Sequence, residues 1–154
     1  MPVPVVIDGY NLLYARGESP SPESRARLVR DLVRWARART RRVELVFDGW
    51  AGGRREAQRE THGPVTVHFT RVGERADAFI VRWVAAHRES VVVTSDRAVQ
   101  QGARRRGAAV LGAEAFLDRL TAALEPSSDA APDDAVDPAR RPGRGGRDAW
   151  LRGL

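Results

Sequence analysis

The apolar positions of this chain come in short runs that stop on aspartate. Pro4-Val5-Val6-Ile7 breaks off at Asp8-Gly9-Tyr10-Asn11, Val43-Glu44-Leu45-Val46-Phe47 at Asp48-Gly49, and Val91-Val92-Val93-Thr94-Ser95 at Asp96. Short β-branched runs closed by sharp polar turns read as buried strands. Between them the period lengthens to that of a helix. Ser21-Pro22-Glu23 is a helix start, with Ser21 as N-cap, Pro22 at the first helical position and Glu23 at the positive end. That helix runs to about Thr40, with Leu28, Val29, Leu32, Val33 and Ala36 as its apolar stripe and Trp35 at the stripe's margin. Val65–Phe69 alternates as a further strand. Gly73-Glu74-Arg75-Ala76-Asp77 opens a helix through about His87, whose buried stripe is Phe79, Ile80, Trp83 and Val84. A helix over 98–106, a short strand over 108–111 and a helix over 113–124 follow. Strands alternating with helices predict an α/β fold: a mostly parallel central sheet covered on both faces.

The pattern ends near Glu125. A single domain over 1–125 is long enough to bury a core, and 126–154 reads as a flexible Pro/Asp/Arg-rich tail with an apolar end, Trp150-Leu151. Within that tail, Arg140-Arg141-Pro142-Gly143-Arg144-Gly145-Gly146-Arg147 is a flexible basic patch suited to RNA.

With no cysteine there is neither a disulfide framework nor a thiolate metal site, and His62, His68 and His87 lack zinc-type spacing. The start has no basic region ahead of its apolar run, and no stretch approaches a membrane span, so a cytoplasmic protein with no membrane partner is expected. All 26 basic residues are arginine, and the formal charge is +6. Arginine forks phosphate bidentately and stacks on bases, which suits a polyanion. Arg25, Arg27, Arg30, Arg34, Arg37 and Arg41 line the outer face of the first long helix, where they read as a solvated surface or one that faces RNA. The glycine-rich loop after Asp48 carries Arg54 and Arg55, and the helix after Asp96 carries Arg97, Arg104 and Arg105. These five are the candidate RNA contacts, although the loop matches no Walker motif.

In open α/β sheets ligands bind at the carboxyl ends of the strands, where Asp8, Asp48 and Asp96 would lie. Asp77, in the first turn of its helix, would point at the same edge. Carboxylates crowded together raise one another's pKa, and a divalent cation relieves the repulsion. Oxygen-only ligands select Mg²⁺ or Mn²⁺, which can activate water and stabilise charge on a scissile phosphate. Each acid also admits a plain structural role. Asp8-Gly9 and Asp48-Gly49 are common turn pairs, Asp77 complements a helix dipole, and Asp96 can cap its helix. Asn11 suits either a hydrogen bond to Asp8 or to a water, or a left-handed turn, and Glu74 is a second-rank ligand candidate.

These motifs resemble the NYN domains, in particular the YacP-like branch of the PIN-like nucleases. The resemblance rests on Val6-Ile7-Asp8-Gly9-Tyr10-Asn11-Leu12, Val46-Phe47-Asp48-Gly49, Gly73 through Ile80 and Val93 through Gln100, and spans roughly residues 3–124. It implies a PIN-like three-layer α/β/α sandwich and a Mg²⁺- or Mn²⁺-dependent endoribonuclease, with messenger RNA as substrate and the ribosome as partner. It also implies that Asp8, Asp77 and Asp96 hold the metal with Asn11 beside them, and that Asp48 is a ligand or an acid behind the ligands. The tail after residue 125 departs from the resemblance. The alternative is a non-catalytic RNA- or ribosome-binding module on a nuclease fold, which has no use for crowded carboxylates beside phosphate. An aspartyl phosphatase is a weaker reading, because Tyr10 stands where a second aspartate would be needed.

Overall fold

The computed structural model describes residues 3–49, 56–125 and 151. Six strands form one sheet: β1 (Val5–Asp8), β2 (Val43–Phe47), β3 (Gln58–His62), β4 (Val65–Phe69), β5 (Val91–Val93) and β6 (Ala109–Leu111). Their spatial order is β3-β4-β2-β1-β5-β6, and every pairing is parallel except β3 against β4. Five helices are described: α1 (Gly9–Ala15), α2 (Pro22–Arg39), α3 (Ala76–Ala86), α4 (Arg97–Arg105) and α5 (Ala113–Leu124). No helix among the described residues is long and apolar enough to cross a membrane.

Two cores lie on the two faces of the sheet. On one face Leu12, Leu28, Leu32, Trp35, Phe116 and Leu120 of α1, α2 and α5 meet Val5, Ile7, Leu45, Phe47 and Val67. On the other Ile80 and Val84 of α3 and Val99 and Ala103 of α4 meet Val6, Val46 and Val92. The strand residues alternate between the two lists, as the period of two requires for a sheet buried on both sides. The result is the expected three-layer α/β/α architecture.

Four details differ from the sequence reading. Gly9-Tyr10-Asn11 is a helix start rather than a turn, because the Asp8 side chain caps it. The β3 strand carries no apolar pattern and is exposed throughout, so its backbone ladder with β4 is what makes it a strand. Trp35 is buried, not marginal: it packs edge-on against Phe116 with ring centroids 5.0 Å apart, which turns the buried stripe of α2 away from Val29 and Val33. Arg41 leaves the arginine face altogether and lies buried, donating to the Val3 carbonyl at 2.7 Å.

The basic patch at Arg140–Arg147 lies outside the described residues. Of the tail only Leu151 is described: it packs against the first core, and its carbonyl accepts from Arg119 Nη1 at 3.1 Å.

Candidate active site

The chain enters the sheet at β1, moves outward through β2 and β4, then returns through α3 to β5 on the other side of β1. The strand order therefore reverses between β1 and β5. The crevice at the carboxyl ends of two such strands is where open α/β sheets place ligands. Asp8 and Asp96 stand on its two sides.

Asp8 is both the last residue of β1 and the N-cap of α1, and its Oδ1 accepts the Asn11 backbone N–H at 3.3 Å. It is only 8 % exposed. Its carboxyl pKa is raised from 3.8 to about 6, mainly by burial; the Asn11 N–H opposes the rise, while Asp77, Asp96 and Asp48 add to it. Asp8 thus feels the charge of the three other sequence-selected aspartates, although all four come from separate segments.

Asp96 caps α4 in the same manner, its Oδ1 accepting from the Val99 N–H at 3.1 Å. Asp77 lies in the first turn of α3, where its Oδ1 accepts the Ala78 N–H at 2.7 Å and lies 3.6 Å from Arg75 Nε. In each of these three acids one oxygen is fixed by a helix N-terminus, whose partial positive charge favours the anion. The Oδ2 atoms make no hydrogen bond to a described residue. Asp48 follows β2 and is half-buried.

Asn11 ties the two sides of the crevice together. Its Oδ1 accepts the Ser95 N–H at 2.7 Å and the Thr94 hydroxyl at 3.4 Å, while Thr94 Oγ1 accepts the Asp96 N–H at 3.1 Å. Asn11 sits in α1, not in a left-handed turn, so its side chain is held over the end of β5. Gln100 Nε2 donating to the Thr94 carbonyl at 2.8 Å and Ala113 N–H donating to Ser95 Oγ at 3.2 Å complete the support.

A second relay fixes the neighbouring loops. Gly49 N–H donates to Thr70 Oγ1 at 2.9 Å, and that hydroxyl donates to the Glu74 carbonyl at 2.7 Å. The Glu74 carboxylate itself pairs with Arg82. As placed it serves an ion pair and not the aspartate cluster.

Among the predicted RNA contacts, Arg97 stands exposed directly beside Asp96. Arg104 and Arg105 are exposed in the last turn of α4, about 12 Å from Asp96 along the helix axis at 1.5 Å per residue. Arg54 and Arg55 lie outside the described residues. One site-edge arginine was not singled out from the sequence. Arg25, in the first turns of α2, lies 6.0 Å from the Phe69 ring centre and beside Tyr10. Burial pushes the Tyr10 hydroxyl above its ordinary pKa, and Arg25 works against that rise. The signal in the sequence was the arginine face of α2, which gives no indication of which arginine reaches the strand ends.

Among the described residues no group of three acidic or histidine side chains is close enough, as placed, to hold an ion. The donor chemistry nonetheless fits a hard divalent cation. The acids offer oxygen only, their charges repel, and the most buried of them is held largely uncharged below about pH 6 until a positive charge arrives.

Comparison with known proteins agrees with this architecture. The model of the YacP-like NYN domain family matches residues 5–140. Two solved structures of Rae1 (YacP) from Bacillus subtilis are similar to this chain. A mutant form has a TM-score of 0.62 at 25% identity, covering 78% of this chain and 76% of that one. A second structure of the same protein has a TM-score of 0.61 at 25% identity, covering 79% and 75%. No curated protein sequence matches. The family match over most of the chain and the agreement in fold lead to one conclusion: the chain belongs to the YacP-like NYN domain family, with a nuclease-type α/β/α fold.

Proposed function

We propose that this protein is a metal-dependent endoribonuclease that hydrolyses RNA phosphodiester bonds. The observation that carries the reading is Asp8, a buried carboxylate at the strand-order reversal, whose ionisation is opposed by three further aspartates. A fold gains nothing from such crowding by itself, so a cationic ligand is its natural counterpart.

Asp8, Asp77 and Asp96 would hold Mg²⁺ or Mn²⁺, with Asp48 close enough to add charge. When bound, the cation lowers the pKa of water and neutralises charge on the scissile phosphate. Asn11 is a positioning residue: through Ser95 and Thr94 it sets where Asp96 stands relative to Asp8. Arg97 and Arg25 flank the edge with fixed positive charge and favour the RNA backbone. The N-termini of α3 and α4 add partial positive charge along the same rim. Family membership supports messenger RNA as the substrate, with the ribosome as the place of action.

The test is cleavage of an RNA panel in Mg²⁺ or Mn²⁺ by the native protein, Asp8→Asn and Asp96→Asn. The expected result is cation-dependent cleavage by the native protein and a loss of at least about 100-fold in each variant. Equal activity in all three would sink the proposal, as would tight RNA binding with no cleavage under any cation.

A further inference from the structure

The helix that carries Asp77 carries a second feature on its flank. Ile80 and Val84 fill the core, but Phe79 and Trp83 are only half-buried and His87 is exposed. All four had the spacing of a buried stripe, and the structure leaves two of them at the rim. The reason is where α3 lies: among the described residues it packs mainly over β1 and β2, and it reaches β4 where Phe79 meets His68. Phe79, Trp83 and His87 follow one another at intervals of four residues and form a row along that flank.

The row is built from stacked rings. Trp83 and His87 lie parallel, with ring centroids 3.9 Å apart and planes 15° apart. Phe79 meets the His68 ring of β4 at 4.9 Å. Beside it lies exposed β3, whose Arg59 stands opposite His68 in the antiparallel register. Arg82 lies 5.3 Å from the Phe79 ring, and Arg88 follows the helix end. The acid of this face, Glu44, is buried and already held by His68 Nε2 at 2.7 Å and Arg42 at 3.3 Å. Arg59 and Arg88 stand exposed beside the row, while Arg82 is paired with Glu74.

We propose that this ledge, formed by the aromatic row of α3 and exposed β3, binds the single-stranded RNA that continues beyond the cleavage site. Aromatic faces interleaved with arginines are the chemistry of sequence-tolerant single-strand binding. Continuity supports the choice of occupant, because the row starts on the helix that presents Asp77. Trp83 lies six residues on, about 9 Å along the axis at 1.5 Å per residue. A strand held at the carboxylates reaches the aromatic row along the same helix. Its bases stack on Trp83 and His87, and its phosphates face Arg59 and Arg88. The proposal rests on the nuclease reading for the origin of the strand, but not for the binding itself.

Binding of fluorescent oligouridylates of three and twelve nucleotides to the full chain in EDTA tests it, alongside cleavage of a minimal substrate in Mn²⁺. Trp83→Ala should weaken the twelve-nucleotide oligomer about tenfold or more and leave the three-nucleotide one and minimal-substrate cleavage unchanged. Trp83→Phe should restore most of the loss. His87→Ala and Arg59→Ala, at exposed positions, should each weaken the long oligomer several-fold, and they keep the test valid if Trp83→Ala melts early. Equal affinity of all variants for the long oligomer overturns the ledge. Absence of native binding to RNA overturns it too, as does preference for an acidic peptide. Trp83-dependent binding without cleavage by the native protein upholds the ledge and overturns the nuclease reading; cleavage with Trp83-independent binding does the reverse.

Discussion

Replacing Asp8 by asparagine should make the cation-free protein more stable at neutral pH. Asparagine keeps the shape and an oxygen that can accept the Asn11 N–H, but it removes the charge that burial and three aspartates oppose. The folded-state pKa of about 6 lies above the ordinary value of 3.8, so ionisation is disfavoured by folding. The cost is full above about pH 6, shrinks as pH falls from there, and is gone near pH 4, where folded Asp8 is neutral. A shift of roughly 2 units at 1.36 kcal/mol per unit sets a ceiling of about 3 kcal/mol. Allowing for a weaker hydrogen bond from Asn11 to an amide than to a carboxylate, the expected gain is about 2 kcal/mol. For a domain of this size that is roughly 8 °C in Tm. Thermal and urea unfolding of native and Asp8→Asn protein in EDTA, from pH 4 to pH 8, measure it. Adding Mn²⁺ should then reverse the order: ligand at about 100 times its Kd adds about 2.7 kcal/mol to the native protein and much less to the variant. A variant no more stable than the native protein at pH 8 would refute the electrostatic account. So would a stability gap that does not change with pH.

Two further substitutions probe the supports of the site. Asn11→Ala removes the acceptor for the Ser95 N–H and the Thr94 hydroxyl. It should cost about 1–2 kcal/mol in urea unfolding and lower cleavage at least about tenfold, with the loss in kcat rather than KM. Gly49→Ala would place a Cβ 1.5 Å from the Thr70 carbonyl oxygen, a backbone atom that cannot step aside. It should cost about 3 kcal/mol or more by thermal melting, because the Gly49–Thr70–Glu74 relay must open to admit it.

How much of this was legible in the sequence depends on which force shaped each element. β1, β2 and β5 are buried on both faces, so their apolar runs announced them, and the residue at which each run stopped gave Asp8, Asp48 and Asp96. Helix α2 was equally plain, because Ser21 and Pro22 mark its start. Two elements had no such signature. The β3 segment Gln58–His62 is a strand only because β4 offers it a ladder, and no hydrophobic alternation records that. Helix α1 begins with Gly9 directly after Asp8, a pair that reads locally as a turn; the tertiary packing of Leu12 and Leu13 makes it helical. The limit on the site was similar. Residue types identified the acids, but the proximity of Asp77 depends on α3 crossing from β4 back to β5. That is a property of strand order, which spacing does not encode. The half-exposure of Phe79 and Trp83 depends on which strands α3 packs over, again a topological fact.

The competing roles of the aspartates need not exclude one another. Asp8 and Asp96 looked like caps or ligands when read alone; both are caps, and capping leaves one oxygen of each free of hydrogen bonds to described residues. In each, Oδ1 is fixed by the first turn of the following helix, which sets the side-chain rotamer without engaging Oδ2. Capping therefore prepares the second oxygen instead of consuming it. The same device accounts for where the acids sit along the chain. A strand that leads into a helix within a few residues places a carboxylate over the helix N-terminus, and two such junctions, at Asp8 and Asp96, flank the strand-order reversal, with Asp77 in the first turn of α3. Those ends lessen the repulsion enough for the fold to form, but burial still leaves Asp8 with a raised pKa. The charge imbalance that remains is the part that the proposed divalent cation would remove, and the fold carries it at a cost that the helix ends keep tolerable.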